Sequence, residues 1–240
     1  MADVNDVIGL KWTDFLNWFQ GQWQPGEHVA LVGPTGTGKT TLVVGILPLR
    51  KYALALDAKG GDSTLAKLEQ HGFIRSPWPP NKETREQIEE GYPARLIIGR
   101  SVKTTDDLPA LRKEMALVLR DAFNEQGWTV YLDELQIIAD RRIMNLGASV
   151  ERNLIAARDR GVSMVMSFQR PANVPRSASE MSTWFIVLYT RDRDTVSRLA
   201  EMAGRPNAEM RGLINGLPQY AVLVFSRDPR APVIVTKADV

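Results

Sequence analysis

The chain of 240 residues contains no cysteine, which excludes disulfides, zinc–thiolate sites, iron–sulfur clusters and a cysteine nucleophile. That absence suits a reducing compartment without requiring one. It has only two histidines, His28 and His71, too far apart in sequence for a histidine-rich metal centre. No apolar run approaches the roughly 20 residues that span a bilayer. The best, Trp184 to Tyr189, has the length of a strand. The first residues, Met1 to Asp6, are acidic and lack the basic start of a signal peptide. An excess of one charge is missing too. Thirty basic against 28 acidic residues leave a net charge of +2, so any basic surface must be a local patch.

What is present is the balance of a folded protein, 44% hydrophobic and 24% charged. Glycines and prolines separate alternating strand-like and helix-like stretches. Within 1–27, an aromatic, amphipathic segment (Trp12, Phe15, Leu16, Trp18, Phe19) reads as a short helix, and Pro25-Gly26 turns the chain into a β-type run from His28 to Val32. Thr40 to Leu47 continues as a helix stopped by Pro48. Tyr52 to Leu56 is too short for a helix and ends at Asp57. Ser76 to Pro93, with Pro77, Pro79, Pro80 and many charges, reads as an irregular insertion. Arg95 to Ile98 is a third strand. Thr104 and Asp107 then form a capping box, and Leu108, Leu111, Met115, Val118 and Ala122 recur at helical spacing up to Gly127.

Thr129 to Leu132 is a further strand. Val150, Leu154 and Ala157 mark a helix that stops at Gly161, before a strand from Val162 to Met166. Phe185 to Tyr189 is another strand. Asp192 caps a helix carrying Val196, Leu199 and Ala203, which Gly204 and Pro206 close, and Asn207 to Asn215 is a last short helix. Gln219 to Phe225 and Val233 to Val235 are expected as antiparallel edge strands. This alternation predicts an α/β fold, one domain over 1–240, with a mostly parallel sheet covered by helices on both faces.

Three stretches carry chemistry. Gly33-Pro34-Thr35-Gly36-Thr37-Gly38-Lys39-Thr40 matches G-x-x-x-x-G-K-[ST] without departure, between a strand and a helix, with Thr41 following. Its backbone N–H groups and helix N-terminus are suited to phosphate oxygens, Lys39 to the β- and γ-phosphates, and the Thr40 hydroxyl to Mg²⁺. The plain alternative is a glycine-rich turn that binds nothing. Val130-Tyr131-Leu132-Asp133-Glu134 is an apolar strand ending in two carboxylates. Asp133 is expected in the Mg²⁺ shell and Glu134 as the general base for an attacking water. Paired acids here argue against a simple kinase or GTPase switch and for repeated hydrolysis coupled to work. Third, Ser167-Phe168-Gln169-Arg170-Pro171 follows a strand, which puts Gln169 within reach of a γ-phosphate or its water, or leaves it a loop glutamine bonded to backbone. Arg158 and Arg160 precede that strand. They are either arginines that stabilise phosphate charge in a neighbouring subunit or favourable charges at a helix C-terminus.

The order of these landmarks, from about Val29 to Phe225, resembles the additional-strand ATPases of the FtsK/HerA superfamily of DNA translocases. The most specific parts are Leu56-Asp57-Ala58-Lys59-Gly60-Gly61-Asp62, Ala157-Arg158-Asp159-Arg160-Gly161-Val162 and Ser167 to Pro171, with Trp184 to Tyr189 followed by Arg191 and Asp192. Ser167 departs mildly, standing where threonine is common. The resemblance implies a RecA-like P-loop NTPase fold with ATP and Mg²⁺ as cofactors. It implies Gln169 as sensor, Arg158 or Arg160 as a finger acting across a subunit boundary, and a ring, usually a hexamer, with double-stranded DNA in its channel. Ile137 to Asn145 aligns with the family's channel-facing loop. Arg141 and Arg142, with Arg176 in the loop before the Phe185–Tyr189 strand, are therefore candidate DNA contacts, or else solvated surface charges.

With no membrane anchor, winged-helix reader or nuclease-coupling barrel recognisable in it, the chain looks most like the compact genome-packaging ATPases of membrane-containing viruses. That implies a host-cytoplasmic or virion-associated protein docking on a capsid or membrane-vertex protein. A secretion or conjugation ATPase moving protein or single-stranded DNA, and a nucleotide-dependent assembly switch, are the alternatives. Trp12, Trp18 and Trp23 are read as core packing, with a cover over the adenine base as the second reading.

Overall fold

The computed structural model describes residues 7–156, 158–228 and 230–238. The elements run, in chain order, β1 (Val7–Gly9), α1 (Trp12–Gln22), β2 (His28–Val32), α2 (Lys39–Ile46), β3 (Tyr52–Leu56), β4 (Ile74–Arg75), α3 (Lys82–Glu89), β5 (Ala94–Ile98), α4 (Leu108–Glu125), β6 (Thr129–Leu132), α5 (Leu135–Ala139), α6 (Gly147–Ala156), β7 (Ser163–Phe168), α7 (Arg176–Glu180), β8 (Ser182–Leu188), α8 (Arg193–Ala203), α9 (Asn207–Asn215), β9 (Ala221–Ser226) and β10 (Val233–Lys237). All ten strands join one sheet in the order β1-β10-β9-β8-β2-β7-β6-β3-β5-β4. From β8 to β4 every neighbouring pair is parallel. β9 runs antiparallel to both β8 and β10.

The strands are continuously apolar because helices cover both faces. In β2, Ala30 and Val32 pack with Leu111, Met115, Leu154 and Leu199 from α4, α6 and α8. Val29 and Leu31 point the other way, into Phe15, Phe19 and Trp23 and the α2 residues Leu42, Val43 and Ile46. Trp12 and Trp23 are thus core residues, and Trp18 sets its ring edge-on against Trp184 at 5.7 Å. The reading of these tryptophans as core packing holds, and none lines the cavities beside the phosphate loop.

Several boundaries differ from the sequence reading. The segment Ser76 to Pro93 is not wholly irregular, because α3 forms inside it. Asn81 caps that helix by accepting the Thr84 N–H at 2.8 Å. The helix buries no residue, so it leaves no apolar periodicity to read. Trp78 pins the insertion by donating its N–H to Glu114 and its ring N–H to Asp121, both at 2.9 Å. β7 runs two residues beyond Met166, so Ser167 and Phe168 are strand residues paired with Leu31 and Val32. β9 is an interior strand, because β10 and then β1 extend the sheet beyond it. Arg176 opens α7 and is not in a loop. Pro48 sits in a 3-10 turn (Leu47–Leu49) that prolongs α2. Ala157 lies outside the described residues, and α6 is recorded to Ala156.

Candidate active site

In parallel α/β sheets, ligands bind beyond the carboxyl ends of the strands. Here β2 runs directly into residues 33–38 and α2. Gly33 is required by a close approach, since a Cβ there would stand 2.9 Å from the Leu188 Cβ. Gly38 takes φ 101° at the start of α2, a left-handed backbone that only glycine adopts cheaply. Thr37 ties the loop by donating its hydroxyl to the Pro34 carbonyl at 2.8 Å. Lys39 is buried, and its ammonium donates to the carbonyls of Gly33 (2.7 Å) and Pro34 (2.8 Å). Burial lowers its pKa, opposed by the charges of Glu134 and Asp133. Thr40 and Thr41 follow on the first turn of α2, half-buried.

Asp133 and Glu134 end β6. Asp133 is almost fully buried and accepts the Tyr131 hydroxyl at 2.7 Å on Oδ1. Its Oδ2 is buried with no hydrogen-bond donor. Desolvation raises its pKa, and the Tyr131 bond and the Lys59 charge oppose that. A buried acceptor without a donor is costly unless something else satisfies it. A hard divalent cation is suited to that, with the Thr40 hydroxyl as a neighbouring oxygen ligand. Among the described residues no group of three acidic or imidazole ligands exists, so Mg²⁺ here would complete its shell from phosphate and water oxygens.

Glu134 is half-buried and holds a left-handed φ of 54°, an uncommon state for a residue with a Cβ. Its N–H donates to Ser167 Oγ at 3.1 Å. Its side chain is engaged on both oxygens: Gln136 Nε2 donates to Oε2 at 2.8 Å, and Lys59 Nζ stands 2.9 Å from Oε1. Tyr131, Ser167, Gln136 and Lys59 were not singled out from sequence as site residues. The stretches containing Tyr131, Lys59 and Ser167 are legible in the sequence, but not these side chains' part in the site.

One additional strand, β7, stands between the phosphate-loop strand β2 and the acidic strand β6. Its end brings Gln169 beside the loop, where the Phe168 carbonyl accepts the Gly33 N–H at 3.2 Å. No protein-family profile matches the chain, and no curated protein matches it by sequence. Solved structures do match. The genome packaging NTPase B204 from Sulfolobus turreted icosahedral virus 2, in complex with AMPPCP, superposes with a TM-score of 0.59 at 16% identity, covering 90% of this chain and all of that one. The chain therefore has an α/β RecA-like fold, like that of this packaging NTPase. B204, the DNA-packaging ATPase from Sulfolobus Turreted Icosahedral Virus, gives 0.57 at 17% identity over 90% of this chain and 98% of that one. The cytoplasmic domain of the Thermomonospora curvata type VII secretion ATPase EccC gives 0.57 at 18% identity, over 91% of this chain but 26% of its own.

Within this RecA-like fold, the residues expected at the site divide into two groups. Lys39, Thr40, Asp133, Glu134 and Gln169 converge at the carboxyl ends of β2, β6 and β7. Arg158 and Arg160 form a 3-10 turn before β7, at the opposite end of that strand, roughly 20 Å away by strand rise. Arg160 lies over the Phe123 ring, 4.5 Å from its centroid. The candidate DNA contacts differ in freedom. Arg142 pairs with Asp140 at 3.0 Å and Arg176 pairs with Glu180, whereas Arg141 is exposed, with no ion pair among the described residues.

A cavity of about 420 Å³ adjoins the phosphate loop, lined by Gly36, Thr37, Tyr189, Arg191 and Tyr220 among others. A second, of about 350 Å³, continues past Tyr189 to Arg193 and Arg211. A third, of about 360 Å³ between Trp78 and Trp128, lies at the amino ends of β3 and β6, away from this chemistry. No described helix is long and apolar enough to cross a membrane.

Proposed function

We propose that the chain is an ATP-hydrolysing motor that assembles as a ring and moves double-stranded DNA, in the manner of genome packaging. One observation carries the reading: the phosphate loop, a carboxylate with a free buried oxygen and an adjacent second carboxylate lie at the same ends of three neighbouring parallel strands. In this reading Gly33 to Thr41 hold the phosphates, and Tyr189 and Tyr220 flank the adenine in the cavity beside Gly36. Thr40 and Asp133 hold Mg²⁺, which when bound neutralises charge building on the phosphates. Glu134 takes the proton of the attacking water, and Gln169 orients that water against the γ-phosphate. Arg158 or Arg160, too far from the loop of its own chain, serves a neighbour's site, which is why a ring, taken as a hexamer, is part of the reading.

Packaging is preferred over secretion because the packaging NTPase is matched over its whole length and the secretion ATPase over a quarter. Arg141 is the preferred contact to DNA phosphate, and a capsid or membrane-vertex protein the preferred anchor. The test is ATP hydrolysis with and without duplex DNA across a salt series. Duplex DNA should stimulate turnover, more strongly at low salt. Glu134→Gln should cut turnover by about 10²- to 10⁴-fold and spare ATP binding. Hydrolysis that ignores DNA and responds to a protein partner would instead favour the secretion-type reading.

A further inference from the structure

The turn after β3, Asp57-Ala58-Lys59-Gly60-Gly61-Asp62, is built to present one side chain. Asp57 is fully buried and accepts four consecutive backbone N–H groups, from Lys59 (3.2 Å), Gly60 (2.9 Å), Gly61 (2.8 Å) and Asp62 (3.0 Å). Arg75 adds a charge at 3.5 Å. A turn held this way costs little further ordering when its side chains bind. From it Lys59 reaches across to the end of β6. Its ammonium stands 2.9 Å from Glu134 Oε1, 3.8 Å from Asp133 Oδ2 and 3.9 Å from Asp62 Oδ2. With Gln136 on the other oxygen, each oxygen of Glu134 already has a donor or cation against it, and the adjacent ammonium stabilises the charged carboxylate, which makes it a weaker base toward water.

We propose that Lys59 is a sensor of the γ-phosphate: it neutralises and covers Glu134 while the site lacks a triphosphate, and moves onto the γ-phosphate when ATP binds, freeing the base. This rests on the ATPase reading above. Three features support the exchange. Lys59 remains 44% exposed, so its four-carbon stem is free to swing. It stands 3.8 Å from Asp133 Oδ2, which has no hydrogen-bond donor and lies at the edge of the site toward which, in that reading, the phosphates and their counter-ion converge. It is also close enough to Lys39 to act on that ammonium electrostatically, so both lysines border one phosphate position. A triphosphate terminus carries more charge than a single carboxylate and offers more acceptor oxygens, so it outcompetes Glu134 for the ammonium. ADP lacks that group and leaves the cover in place.

The experiment measures equilibrium binding of ADP and of AMPPCP to the full chain, wild type against Lys59→Met and Lys59→Arg. Lys59→Met should weaken AMPPCP roughly tenfold or more, the value of a charge-assisted hydrogen bond, and leave ADP within about twofold. Lys59→Arg should keep most of the discrimination, because it keeps the charge. Equal losses for both nucleotides, or none, would overturn the sensor, as would Lys59→Arg behaving like Lys59→Met. A wild-type chain that binds neither nucleotide would overturn the ATPase reading itself, a result separable from the others because it appears before any substitution is made.

Discussion

Single residues show how burial is turned into chemistry here. Tyr131 is fully buried, and desolvation together with the Asp133 charge keeps its phenol protonated, so it stays a donor to Asp133 Oδ1. That leaves Oδ2 as the oxygen with no hydrogen-bond donor, the Lys59 ammonium standing 3.8 Å away. His28 shows the same logic away from the site. Its Nδ1 accepts the Met164 N–H and its Nε2 donates to the Leu154 carbonyl, each at 3.0 Å, so the ring fits only when neutral. Burial pushes its pKa down to about 4, against an ordinary 6.5. The unfolded chain therefore takes up a proton that the folded chain refuses as pH falls from about 6.5 to about 4. Stability is full above that window and declines through it, by about 2 kcal/mol between pH 7 and pH 5. Urea unfolding at the two pH values should show a steeper loss for wild type than for His28→Gln, and parallel losses would contradict the assignment.

At the scale of elements, the turn after β3 is the clearest case of a loop ordered by one side chain. Substituting Asp57→Ala removes the fully buried acceptor of four N–H groups in a part-buried turn. We expect a loss of at least about 2 kcal/mol in global stability, with amide exchange from Lys59 to Asp62 accelerated further than elsewhere. Uniform exchange across the chain would show that the turn is held by something else. The insertion before β5 works differently. Its charged helix α3 buries no residue, whereas Trp78 is buried in the core and anchors the insertion by two bonds to α4. It lines the cavity under Trp128, which lies away from the phosphate loop.

For the whole molecule, the decisive geometry is the length of β7. Gln169 stands at one end beside the phosphate loop, and Arg158 and Arg160 at the other. No rotamer of either arginine crosses that strand to reach its own chain's loop. If the arginines serve a neighbour, two inactive variants should complement each other. A chain carrying Arg158→Ala and Arg160→Ala, mixed with Glu134→Gln chains, should recover part of the hydrolysis that neither shows alone, because some junctions then pair an intact glutamate with intact arginines. A mixture no more active than its parents would remove the ring from the proposed mechanism.

The sequence by itself determined the α/β class, the strand at His28–Val32 and the phosphate loop, because each depends on local patterns: apolar runs, glycines at required spacings, a lysine and threonine in fixed register. It also placed Asp133 and Glu134 at a strand end. It missed α3, whose charged turns bury nothing, and β1, three exposed residues that become a strand only by pairing with β10. It took β9 for an edge because strand order is a long-range property. Tertiary structure alone decided that Tyr131, Ser167 and Lys59 surround the two carboxylates. Those contacts join residues up to 75 positions apart, and they exist only after β3, β6 and β7 lie side by side.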